Sequence, residues 1–106
     1  MRHDLTDLRL FLNVGETLNL TRAAERTFLS LPAASARIKN MEEGFKARLL
    51  IRQVTGVALT PAGEVLLRHA HSIFRQLECL NADIQPYASG VKGHAGDLTD
   101  QQTRFE

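Results

Sequence analysis

The stretch Leu20-Thr-Arg-Ala-Ala-Glu-Arg-Thr-Phe-Leu-Ser-Leu-Pro-Ala-Ala-Ser-Ala-Arg-Ile-Lys-Asn-Met41 holds two helical patterns separated by a turn. The first pattern is Thr21 to Thr27, with Thr21 placed to cap it. Its Ala23-Ala24 pair has almost no side-chain bulk, so another helix can cross closely. Phe28-Leu29-Ser30 is too short for an element and reads as a turn. Ser30 then caps a second helix that tolerates Pro32 in its first turn. Ala34, Ile38, Met41 and Phe45 recur at steps of four, three and four, which gives this helix one buried stripe. Its remaining positions, Leu31, Pro32, Ser35, Ala36, Arg37, Lys39 and Asn40, form a largely polar, basic face. A helix with so thin an apolar stripe sits on a domain edge and presents its other side.

Working outward, Leu5, Leu8, Phe11 and Leu12 predict a preceding helix that ends near Thr17. Asp4 and Asp7 suit the positive N-terminal end of that helix. On the other side, Leu49 to Arg52 and Val57 to Thr60 flank Gln53-Val-Thr-Gly56 and predict a small hairpin. Three helices followed by a hairpin make a mainly α winged helix-turn-helix over residues 1–60. Such a fold places its last helix in the major groove and its hairpin toward phosphates or the minor groove.

Thr60-Pro61 starts a long helix. Leu66, Ala70, Ile73, Leu77, Leu80 and Ile84 alternate steps of four and three, a heptad seam predicting dimerisation through residues 61–84. That helix would run about 24 residues, roughly 36 Å, and stop at Pro86. Leu67 and Phe74 lie off the seam and are expected to pack on the globular part. Residues 85–106, with three glycines and few large apolar side chains, are expected to form a flexible tail.

The chain of 106 residues suits one domain, and its net charge of +1 hides an asymmetry. Between Arg22 and Arg52 there are seven basic and three acidic residues, whereas residues 61–106 carry four and six. A basic segment in a near-neutral chain permits nucleic-acid binding. No apolar run suits a membrane span, no secretory leader is visible, and the lone Cys79 agrees with a reducing, cytoplasmic setting. His69, His71, His94 and Cys79 have no zinc-site spacing, and no nucleophile motif or phosphate loop occurs, so neither metal, cofactor nor enzymatic activity is expected.

Several ordered pieces carry a specific resemblance: Leu8-Arg-Leu-Phe-Leu12, Leu20 to Arg26, Leu29 to Ser35, Met41-Glu-Glu43, Arg48-Leu-Leu-Ile-Arg52 and Leu59-Thr-Pro-Ala-Gly63. From about Asp4 to Asn81 the chain resembles the N-terminal domain of LysR-type transcriptional regulators. The resemblance implies a DNA-binding dimer whose long helix leads to an effector domain. It implies DNA-facing roles for Thr21, Arg22, Leu31, Pro32, Ser35, Ala36, Lys39 and Arg52. Arg37 stands where glutamine is frequent and is expected to supply a substitute donor. Leu31 stands where the family commonly has glutamine and Ala36 where it commonly has arginine. These two can touch only apolar groups such as a thymine methyl, so base specificity should be weaker or shifted. Leu31 has packing beneath the hairpin as its alternative. Lys46 replaces a usual glycine, and Arg26 and Arg48 read as structural or solvated. Gly93 to Leu98 resembles the family's entry to the effector domain, but Thr99 to Glu106 does not continue it as a strand. The chain is thus expected to hold the DNA-binding part only, without a small-molecule effector site. A rival reading is a truncated interaction module that pairs with a full-length relative.

Overall fold

A computed structural model describes residues 3–88. The order is α1 (Leu5–Thr17), α2 (Leu20–Arg26), α3 (Leu31–Phe45), β1 (Leu50–Gln53), β2 (Gly56–Leu59) and α4 (Pro61–Ala88). It divides into two units whose border falls inside α4, between Ser72 and Ile73. Among the described residues no helix is long and apolar enough to cross a membrane.

The first unit is built on one core of Leu10, Phe11 and Val14 from α1, Ala23 and Ala24 from α2, and Ala34, Ile38 and Met41 from α3. Leu49, Leu50 and Val57 close it from the hairpin side. The stripe of α3 therefore faces inward as its spacing predicts, with Phe45 half-buried at its end. In α1 the buried face is rotated from the predicted one: Leu5 is 50% exposed, while Asp7, Leu10 and Val14 are buried with Phe11 and Leu12. Positions 7, 10, 11 and 14 share a helical face, and the polar Asp7 can take its inner place because Arg37 meets it there.

The helix starts follow side-chain chemistry. Asp4 accepts from the Asp7 amide at 2.9 Å while Asp7 accepts from the Asp4 amide at 3.2 Å, a reciprocal capping box. Asn19, not Thr21, caps α2: its extended backbone lets its side chain accept from Arg22 N at 2.9 Å. This start two residues earlier buries Leu20 and leaves Thr21 exposed in the first turn. Ser30 accepts from Ala33 N at the head of α3, as expected.

β1 and β2 pair antiparallel with Leu50 opposite Leu59 and Gln53 opposite Gly56, so Val54-Thr55 alone form the loop. The loop is shorter than the predicted four residues because Gly56, at φ +140°, takes a backbone shape that other residues rarely adopt. A Cβ there would also strike the carbonyl of Leu18. That carbonyl accepts from Val57 N at 3.1 Å and fastens the hairpin to the α1–α2 turn.

Thr60 caps α4. Its hydroxyl accepts from Gly63 N at 3.0 Å and donates to the Arg48 carbonyl at 2.6 Å. Leu67 packs on the core, its Cδ1 2.7 Å from where a Cβ on Gly15 would stand. α4 runs through Pro86 to Ala88 rather than stopping at proline. Proline's fixed φ is helical, and what it lacks is its own N–H in the final turn. The rest of the predicted tail, 89–106, lies outside the described residues.

Candidate nucleic-acid interface

The outer side of α3 and the adjoining elements carry most of the residues singled out in the sequence. Thr21 and Arg22 are exposed at the head of α2. On α3, Pro32, Ala36 and Lys39 are exposed and Ser35 is half-buried. Leu31 is 44% exposed, so it stands on this face rather than buried beneath the hairpin. Arg52 is exposed on β1.

Between α3 and the hairpin lies an open cleft of about 640 Å³ with Ser35, Lys39, Lys46, Arg48 and Arg52 on its walls and Leu20, Ile38, Leu50 and Val57 among its lining. Two carboxylates also border it. Glu42 is engaged, accepting from Leu49 N at 2.8 Å and Leu50 N at 3.3 Å, with Arg48 Nε at 3.5 Å. Glu43 is exposed. Four cations against two carboxylates leave the cleft net basic.

Arg37 does not join this face. Its Nη1 donates to Asp7 at 2.8 Å and to Asp4 at 3.2 Å. The hydrogen bond to Asp7 raises its already high pKa. The Asp4 carboxyl is lowered chiefly by the Asp7 amide it accepts from, with Arg37 adding to the effect. The expected base-contacting role is therefore corrected: Arg37 joins the inner side of α3 to the start of α1. Its partners lie 30 and 33 residues away, beyond any local pattern. Arg26 pairs with Glu16 at 3.1 Å, and Arg48 donates to the Leu50 carbonyl at 3.3 Å, so both serve structure as the sequence suggests.

The seam divides. Ala70 is fully buried within the chain and Leu66 is half-buried against the first unit's core, so these two pack their own domain. In the second unit Ile73 is 38% exposed, Leu80 and Ile84 52% each, and Leu77 half-buried. Core contact and a helix pair use the same steps of three and four, which is why spacing alone joined them. Phe74 is half-buried in this unit.

Residues 5–64 match the model of the bacterial regulatory helix-turn-helix proteins of the lysR family. The chain belongs to the LysR family. This LysR-type chain is 43% identical over 75 residues to HcaR, the Hca operon transcriptional activator of Escherichia coli (strain K12), covering 71% of itself and 25% of HcaR. It is 36% identical over 86 residues to the regulator CysL of Bacillus subtilis (strain 168), covering 81% of itself and 29% of CysL. It thus spans under a third of the curated relatives it matches. Among solved structures it resembles the BenM DNA-binding domain in complex with catB site 1 DNA, with TM-score 0.77 and 29% identity over 88% of this chain and all of that one. The DNA complex of the CbnR DNA-binding domain gives TM-score 0.70 and 29% identity, over 82% of this chain and 99% of that one. The molecule is therefore the DNA-binding domain of a LysR-type transcriptional regulator, with a winged helix-turn-helix and a long helix after it.

Proposed function

We propose that this domain binds operator DNA sequence-specifically, in the cytoplasm, as a dimer joined through residues of α4. The observation that carries the reading is the basic face on which Arg22, Lys39 and Arg52 stand exposed beside α3, in a domain matching relatives solved on DNA. Phosphates would be met by Thr21, Arg22, Lys39 and Arg52, which set position but carry no sequence information. Base edges fall to the first turns of α3: Ser35 by hydrogen bonding, and Leu31, Pro32 and Ala36 by apolar contact with thymine methyls. Residues 1–60 do the binding and 61–84 the pairing, with Ile73, Leu77, Leu80 and Ile84 as the exposed part of the seam.

Fluorescence anisotropy against random duplex and a pool of genomic fragments, at several salt concentrations, tests this. Discrimination of one fragment class is expected, and Arg22→Ala and Lys39→Ala should each reduce the salt slope by about one unit on all sequences. Equal binding to all fragments would remove sequence specificity. Absence of binding at low salt would remove the DNA reading and leave the pairing module. For the dimer, Ile73→Asp places a charge in an apolar contact and should raise the dimer dissociation constant at least about tenfold in sedimentation. An unchanged dimer would remove the seam.

A further inference from the structure

The C-cap of α3 is Lys46, held at φ 57° and ψ 41° with its N–H donated to the Glu42 carbonyl. This left-handed conformation is what glycine adopts freely at helix ends and what a Cβ disfavours. Leu18 and Phe28 share the conformation, but neither borders a charged cleft. Lys46 does: it lines the cleft between α3 and the hairpin together with Lys39 and Arg52. Arg48 is tied to the Leu50 carbonyl and to Glu42, whereas among the described residues Lys39, Lys46 and Arg52 have no ion-pair partner. Glu43 is the one carboxylate of the cleft without a bond to neighbouring amides, and it does not balance three free cations.

An unpaired cation on a left-handed backbone, lining an open and net basic cleft, points to an anionic ligand. We propose that Lys46 binds a DNA backbone phosphate, extending the basic face past Lys39 to the far end of α3. This rests on the DNA reading above and goes beyond the residues that reading uses. The contact is one that glycine at this position cannot make. It is sequence-independent, so it adds affinity and salt dependence, not base choice.

The test uses the full 106-residue chain with Lys46→Gly and Lys46→Asn, two uncharged residues that tolerate the left-handed conformation. Stability and binding should move in opposite directions. Lys46→Gly should raise Tm by about 4 °C. Both variants should bind random and selected duplexes about three- to tenfold more weakly at low salt, with the slope of log K against log salt smaller by about 0.9, one phosphate's worth. Lys46→Arg should keep the wild-type slope. If the wild type binds duplex and Lys46→Gly matches it in affinity and slope, the lysine is not a phosphate ligand and the proposal falls alone. If the wild type binds no duplex at low salt, it falls together with the DNA reading.

Discussion

Arg37→Met is expected to destabilise the domain by about 2–3 kcal/mol, seen as a lower urea midpoint with an unchanged m value. Methionine keeps the apolar stem but removes the guanidinium that reaches Asp7 at 2.8 Å and Asp4 at 3.2 Å. The Asp7 side chain is only 11% exposed, so the lost partner leaves a carboxylate that water reaches poorly. The Arg37 side chain is 34% exposed, which places the effect below that of a fully buried pair. Adding Asp7→Asn should recover part of the loss, since the residual penalty is the uncompensated charge and the Asp4 amide still finds an acceptor. The pH dependence follows. Asp4 is held below its ordinary value of 3.8, so its contribution is complete above that pH and fades as pH falls through the lowered folded value. Without Arg37 only the Asp7 and Thr6 amides hold it down, and the acid-side loss should shrink. A variant as stable as wild type at pH 7 would mean that this clamp contributes nothing. A large fall in DNA affinity with unchanged stability would return Arg37 to the DNA face.

Gly63→Ala is expected to cost at least about 3 kcal/mol, although alanine is the better helix former by roughly 0.5–1 kcal/mol. The sign is set by what a Cβ would meet: the Leu49 carbonyl, with Leu59 Cβ 3.4 Å away. That carbonyl cannot swing aside cheaply, because it accepts from Thr60 N at 3.0 Å. Either the start of α4 lifts from the hairpin or the hairpin shifts. In a domain of this size the loss corresponds to a Tm drop of roughly 12–20 °C. A drop of less than about 2 °C would show that α4 does not approach the hairpin this closely.

What could be read from the sequence was local. Ser30 and Pro32 fix the start of α3, Thr60 and Pro61 that of α4, and Ala34, Ile38 and Met41 the inner face of the recognition helix, because each signal lies within a turn or two of its effect. The departures have non-local causes. Asp7 reads from the sequence only as an acid suited to the start of α1, and the fold brings Arg37, thirty residues on, beside it, so that it is buried on the same face as Leu10 and Val14. Ala70 fits the heptad as well as Ile73 does, and only the tertiary fold buries the one and leaves the other exposed. Of the cations read onto one face, Arg22, Lys39 and Arg52 are exposed, whereas Arg37 turns to Asp4 and Asp7. That Lys46 shares a cleft with Arg52 was not legible in the sequence, because the hairpin brings them together.

Thr60 joins four groups: its hydroxyl meets the Arg48 carbonyl and Gly63 N, its amide the Leu49 carbonyl, and its own carbonyl the Glu64 amide. Both feet of the hairpin and the first turn of α4 thus hang on one residue. Breaking the bonds at Thr60 should therefore loosen the base of the wing and the first turn of α4 together, and amide protons in both segments are expected to exchange with solvent at matching rates.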